Sequence, residues 1–393
     1  MCNTCPSNSR KLLHFWSFTF FILMLAGLLA MTTAKAEDDK FTLSGFGYKD
    51  YRQTTANIYE GADKRGTWDN GIIALVMSAN LSDKDTVWAQ IESQPSQPTE
   101  FTWAYLDHRF NDDLSVRVGI IKMPYGIYNE YIDNKALQLS AVRPSAYSFR
   151  ADMVHDAYQG IGIDWTKGSL FSQLMYGKIY TPPGNGALTD AFGGRDRQYI
   201  GTRFTWSTPI EGLRFMFSSW DGQVEDNTGI THTPPLGTLH HELRRMYSME
   251  YLVGNLDLKS EHNFHLVPGI TADPANNVAA APGLGTTGWY VQAGYKMGAL
   301  TPYVRYDNFV GDDSIPNDPT SYEKEWVLGL NYKINSNMNA RIEDHFIHGY
   351  GLPVTTQDML PDLCSGGGTA CPTVYSAARE SWNMMAAEIN FKF

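Results

Sequence analysis

After residue 36 the chain has no long apolar run, and that excludes a bundle of membrane-spanning helices, each of which would need about 20 mostly apolar residues. Cysteine is scarce: of four, Cys2 and Cys5 lie ahead of the only long apolar stretch, and Cys364 and Cys371 near the other end. Positive charge is also short, with 31 Lys and Arg against 42 Asp and Glu. Nucleic-acid binding depends on neutralising phosphates, so this balance argues against it. No Gly-x-Ser-x-Gly elbow, His-Glu-x-x-His pair or phosphate-cradling glycine loop occurs, so the sequence points to no enzyme, cofactor or metal. His232, His240 and His241 share one link, and His345 and His348 one strand end; solvated histidines explain both groups. No Ser–His or acid–His set is visible.

The apolar stretch Leu12–Met31, preceded by Arg10 and Lys11 and followed by Ala34-Lys35-Ala36, reads as an export signal cleaved between Ala36 and Glu37. Removing residues 1–36 leaves 357 residues and takes the net charge from −11 to −14. In an exported chain Cys364 and Cys371, separated by Ser-Gly-Gly-Gly-Thr-Ala, are expected to form a disulfide within the link 349–380. A metal site is the alternative, but the intervening residues offer no further ligand.

Aromatic residues are abundant, with 22 Tyr and 10 Trp. They fall into a pattern of period two. At the chain end Phe393, Phe391, Ile389 and Ala387 alternate with Lys392, Asn390, Glu388 and Ala386. Similar sets recur: Gln159, Ile161, Ile163, Trp165; Trp289, Val291, Ala293, Tyr295; and Trp326, Leu328, Leu330, Tyr332. Each is expected to face lipid while its alternating neighbours face a lumen. Lys122 and Asp344 break the rule; either both stand where a strand leaves the membrane or the register differs there. Sixteen such segments run from Lys40–Arg52 to Ser381–Phe393. Short turns (Asn111-Asp112-Asp113, Lys167-Gly168-Ser169, Gly254-Asn255) alternate with long links (181–196, 223–243, 268–287, 311–323, 349–380). This sorting predicts an all-β, antiparallel transmembrane barrel over 37–393, with short turns on one side and long loops on the other. A β-sandwich gives no reason to sort its loops this way.

One long link, 123–156, stands apart. Arg117-Val118-Gly119 lies on the strand before it, and Lys122-Met123-Pro124-Tyr125-Gly126-Ile127-Tyr128-Asn129-Glu130 leads into it. With this motif and the aromatic last strand, including Phe391 and the terminal Phe393 as the signal for barrel insertion, the chain resembles Gram-negative outer-membrane porins. Within them it is similar to the phosphate-porin-like and general-porin branch of the gammaproteobacteria. The resemblance implies that 123–156 folds into the barrel and narrows it, and that the protein is a homotrimer amid outer-membrane lipid and lipopolysaccharide. It also implies passive passage of small hydrophilic solutes and ions, or else selectivity for an anion, organic acid or sugar. Trp88, Trp103 and Tyr105 on one strand face would suit a sugar path; a barrel enzyme ranks last. Expected at the constriction are Glu130, Asp133, Asp152 and Asp156 against Lys135, Arg143 and Arg150. The expected lumen wall is Arg117, Arg203, Arg305, Asp307, Arg341 and Glu343. Gly45 and Gly47 on the first strand would permit close packing or a kink.

Overall fold

A computed structural model describes residues 40–59, 62–68, 71–95, 98–147, 156–180, 194–226, 238–267, 284–352 and 379–393. The signal segment, the cleavage site at Ala36 and Glu37, Arg150, Asp152, His232, Cys364 and Cys371 lie outside the described residues.

Sixteen antiparallel strands close into one barrel. In order they are β1 (Phe41–Thr54), β2 (Gly71–Asn80), β3 (Asp85–Ser93), β4 (Glu100–Asn111), β5 (Leu114–Lys122), β6 (Ala157–Lys167), β7 (Leu170–Tyr180) and β8 (Gly194–Ser207). Then come β9 (Leu213–Asp226), β10 (Thr238–Val253), β11 (Leu256–Val267), β12 (Leu284–Tyr295), β13 (Leu300–Val310), β14 (Tyr322–Lys333), β15 (Met338–Gly349) and β16 (Ser381–Lys392). Closure is made by β1 against β16, with Phe46 opposite Lys392 and Thr54 opposite Met384. It leaves neither edge strand with free hydrogen-bonding groups, as lipid requires.

Local chemistry sets the short turns. Gly168, Gly212, Gly254 and Gly298 have φ near +60° to +77°, in the left-handed region glycine enters without a Cβ penalty. On the long-loop side β8, β9 and β10 run further than the sequence suggests. Leu239 still pairs with Glu225 and Gly194 with Asp226, because strand pairing continues above the apolar belt.

The outer surface is apolar. Ile161, Ile163, Trp165, Val291, Tyr295, Trp326, Leu328 and Tyr332 all point outward and are exposed. Rows of rings cross strands there: Trp289–Tyr306 at 5.4 Å and Tyr306–Trp326 at 4.8 Å. A surface of this kind is unfavourable in water and favourable in lipid. Asp344 departs from expectation. It faces outward beside Leu328 and Met385 in the middle of β15, not where a strand ends. Lys122 stands where expected, at the last position of β5, and is buried there for a reason given below.

Glycines shape one stretch of wall. Gly119, Gly160 and Gly177 stand opposite one another across β5, β6 and β7. A Cβ on Gly160 would come within 2.1 Å of the Tyr176 carbonyl oxygen, and one on Gly177 within 2.3 Å of that of Gln159. The strands bend past each other closely here, and only glycine fits. At the seam, Gly45 and Gly47 lie under the rings of Phe393 and Phe391, so close packing rather than a kink explains them.

Candidate functional site: the loop inside the barrel

Residues 123–147 of the link from β5 to β6 turn inward and pack on the barrel wall. Gly126, at φ +63°, makes the bend, and a Cβ there would meet the Tyr147 hydroxyl at 2.1 Å. Three short 3-10 turns follow, Asn129–Tyr131, Lys135–Leu137 and Ser145–Tyr147. Met123, Tyr125, Ile127, Tyr128, Ile132 and Tyr147 are buried against Tyr158, Met175, Tyr199, Trp220, Met246 and Tyr290 of the wall. A loop this apolar on one side gains by leaving water for an inner wall that offers rings.

Polar groups of the wall then hold the loop by its backbone. Glu261 of β11 accepts the Ile127 amide at 2.8 Å and the Tyr147 and Tyr290 hydroxyls at 2.6 and 2.8 Å. Glu343 of β15 accepts the amides of Ala141 and Val142 at 2.9 and 3.0 Å. Asp307 of β13 accepts the Ser145 amide at 3.0 Å, and Arg305 donates to the Val142 carbonyl at 2.7 Å. Arg341 donates to the carbonyls of Lys135 (2.6 Å) and Gln138, and pairs with Glu388 at 2.6 Å. Buried donors and acceptors are costly unless paired, and here charged residues of the wall pair them.

The loop's base is a clamp. Lys122 at the end of β5 bonds Asp133 at 2.5 Å and also Asp156, so its burial is that of a charge held between two carboxylates. Burial, and then Asp133, push Asp156 up to about 6. Glu130 reaches Arg203 of β8 at 2.7 Å. Burial alone would raise the Glu130 pKa; the guanidinium outweighs it and holds the carboxyl below the usual value.

Of the constriction residues expected from sequence, Glu130 stands at the edge of the loop and half-faces the lumen. Asp133 and Asp156 serve Lys122. Lys135 is buried, donating to the Ala141 carbonyl at 2.7 Å and lying 5.7 Å from the Tyr48 ring, and burial pulls it down to about 8. It holds the loop together instead of facing the opening. Arg143 is partly buried, and its electrostatic neighbours include Tyr48, Tyr59 and Arg52. Of the expected wall residues, Arg305, Asp307, Arg341 and Glu343 grip the loop, Arg203 meets Glu130, and Arg117 pairs with Asp164. Trp88, Trp103 and Tyr105 lie on the inner face of β3 and β4, with Trp88 opposite Tyr105.

Glu261 and Glu388 were not singled out from sequence. Both sit at inward-facing parity, and that was the available signal. The expectation that the wall carries no acid–His set is corrected. His345 lies between Glu325 (2.5 Å) and Glu343 (3.1 Å), and His265 lies 2.8 Å from Glu242. Glu343 and His345 are two residues apart on one strand face, a spacing the sequence shows; strand register brings Glu325 to His345 and Glu242 to His265.

No protein-family model matches the chain. A protein of Aquifex aeolicus (strain VF5), known only as an uncharacterized protein, is 25% identical over 256 residues, 59% of each chain; this chain thus spans about three fifths of that relative's length. Among solved structures, OmpF of Salmonella typhi in complex with daunomycin superposes with a TM-score of 0.58 over 90% of this chain and 97% of that one, at 15% identity. OmpT, an outer membrane protein of Vibrio cholerae, gives 0.55 over 91% and 99%, at 10% identity. The chain has the fold of the outer-membrane porins. At such identities the likeness speaks for the fold alone. A porin fold, polar inside and apolar outside, fits the outer membrane of a Gram-negative bacterium.

Proposed function

We propose that the barrel is a channel for passive diffusion of small hydrophilic solutes and ions, narrowed by residues 123–156, and that it is not an enzyme. The observation that carries this reading is the inward loop, fastened to the wall by Glu261, Asp307, Arg341 and Glu343. An ordered long loop inside a barrel sets what passes by the space it leaves and the charges it presents. The acid–His sets lend the enzyme reading little support, since His345 is fully buried with both ring nitrogens engaged. Purified protein in planar bilayers is expected to give stepwise conductance, and in a liposome-swelling assay a pentose should pass faster than a trisaccharide. A folded barrel with neither conductance nor swelling would overturn the channel.

A homotrimer belongs to the same proposal, and the outer surface supports a location for its contacts. Midway along their strands, the adjacent β3, β4 and β5 carry Ala89, Ala104 and Val118 outward, where β10, β12 and β14 carry Tyr247, Trp289 and Trp326. Small outward residues let barrels approach closely, whereas rings suit lipid. Ala89→Lys with Ala104→Lys is expected to reduce the detergent-corrected mass by light scattering from three chains to one. An unchanged trimer would put the contact elsewhere.

A further inference from the structure

We infer that ions cross this barrel along one side, through a slit on the inner face of β4–β7, and that Asp107 and Asp164 make the slit prefer cations. The inference rests on the channel reading and adds to it a location and a charge. It starts from how unevenly the inner charges meet solvent. On one side the pairs Asp50–Arg52, Arg305–Asp307, Arg341–Glu388 and His345–Glu343 have side chains no more than 6% exposed. On the other side Asp107 is 26% exposed, Arg117 22%, Asp164 12% and Glu130 32%. These are the same residue types on the same inner surface. They differ in what covers them. The loop backbone from Lys135 to Ser145 lies on β13, β15 and β16, and Tyr59 from the β1–β2 link adds a second layer, its ring 6.0 Å from Trp382 and packed in the same cluster as Val142. On β4–β7 the loop packs on Ile121, Tyr158 and Met175, and it leaves Asp107, Arg117 and Asp164 partly open.

The charges left in the open are mostly negative. Asp107, Glu130, Asp133, Asp156 and Asp164 face Arg117, Lys122, Arg203 and Arg143, the last acting on Asp133 and Asp156, five carboxylates against four cations. The cations differ in how they are engaged, the Nε atoms of Arg117 and Arg203 having no hydrogen-bond partner. The Arg117 guanidinium bonds Asp164 and lies 5.5 Å from the Tyr105 ring, and Lys122 is held by two carboxylates. Asp107 is held more loosely: its Oδ2 lies 3.9 Å from the nearest cation atom, beyond hydrogen-bond reach, and its Oδ1, itself shielded from solvent, has no partner. Gln173 of β7, itself buried, donates to Glu130 at 3.4 Å and Asp164 at 3.2 Å, while its own amide oxygen has no partner. Trp103 and Tyr105, 5.7 Å apart, line the same wall. Fixed carboxylates within about 8 Å of a passing ion are poorly screened even at physiological salt, so the excess of negative charge acts on each ion that enters.

The test is a reversal potential in a KCl gradient, together with cysteine labelling in a barrel whose Cys364 and Cys371 are replaced by serine. The wild-type barrel is expected to favour potassium, and Asp107→Asn to lower its potassium-to-chloride permeability ratio. A positively charged methanethiosulfonate should reduce single-channel conductance in Asp107→Cys and leave Glu325→Cys, on the covered side, unmodified. Chloride preference in the wild type, or modification of Glu325→Cys but not Asp107→Cys in a conducting barrel, would overturn the slit and leave the channel standing. A wild-type barrel without conductance would overturn the channel reading itself.

Discussion

Glu343→Ala is expected to raise single-channel conductance several-fold and to lower the stability of the barrel by about 3–5 kcal/mol, as breaking a buried charged network does. The carboxylate has four partners. It accepts the amides of Ala141 and Val142, the Tyr303 hydroxyl at 2.5 Å and a contact from His345 at 3.1 Å. Without it, two amides and a hydroxyl are buried unpaired, at a cost of about 1–3 kcal/mol each unless the loop moves to reach water. Moving is the cheaper course, and it uncovers the inner face of β13–β15, adding a second path beside the one along β4–β7. Glu343→Gln keeps an acceptor oxygen for the backbone and should conduct much more like the wild type. Bilayer recordings compare the conductances, and urea titration in lipid vesicles the stabilities. If Glu343→Ala folds and conducts as the wild type does, then Arg305, Asp307 and Arg341 alone hold this side of the loop shut.

Gly160→Val is expected to abolish the folded barrel. The new Cβ would lie 2.1 Å from the Tyr176 carbonyl oxygen and 2.7 Å from the Gly177 Cα, both backbone, so no side chain can swing aside to make room. β6 and β7 would have to part where β5 also approaches, opposite Gly119. A barrel closes only if every strand pairs with both neighbours, so a gap here costs more than a local bulge in an open sheet. The check is electrophoretic: a folded barrel runs differently before and after boiling, and the variant should show only the unfolded position. Gly168→Val is a useful contrast. That glycine has nothing within 4 Å of its Cβ position, so the variant bears only the strain of a φ of +60°. A normal folded fraction for Gly160→Val would mean the wall is less tightly drawn at the glycine row than its geometry indicates.

The barrel was legible in the sequence because its signals are local. Period-two alternation in stretches such as Trp326–Tyr332 records a wall with lipid on one side and polar groups on the other. The glycines at Gly168, Gly254 and Gly298 mark the short turns through a backbone conformation other residues avoid. Parity along a strand also placed Arg305, Asp307, Arg341 and Glu343 on the inner face without any knowledge of their partners. Asp344 shows where parity is silent: it gives the direction of a side chain, not the reason a carboxylate stands between Leu328 and Met385.

The inward loop marks the boundary between the two kinds of information. Its motif, length and opposed charges pointed to a place in the lumen, but not to the task of each charge. Glu130 and Lys135 are five residues apart on that loop, yet one meets Arg203 at a half-open edge and the other is buried against its own backbone. Glu343 meets Ala141 across 202 residues of chain and Tyr125 meets Asn263 across 138. Contacts so distant depend on the register of every intervening strand, which no local pattern encodes. By itself, then, the sequence determined the strand count and the two faces of each strand, and a family resemblance pointed to the loop that enters. Only the tertiary structure decided which side of the lumen that loop covers, and so which charges are left to meet a passing ion.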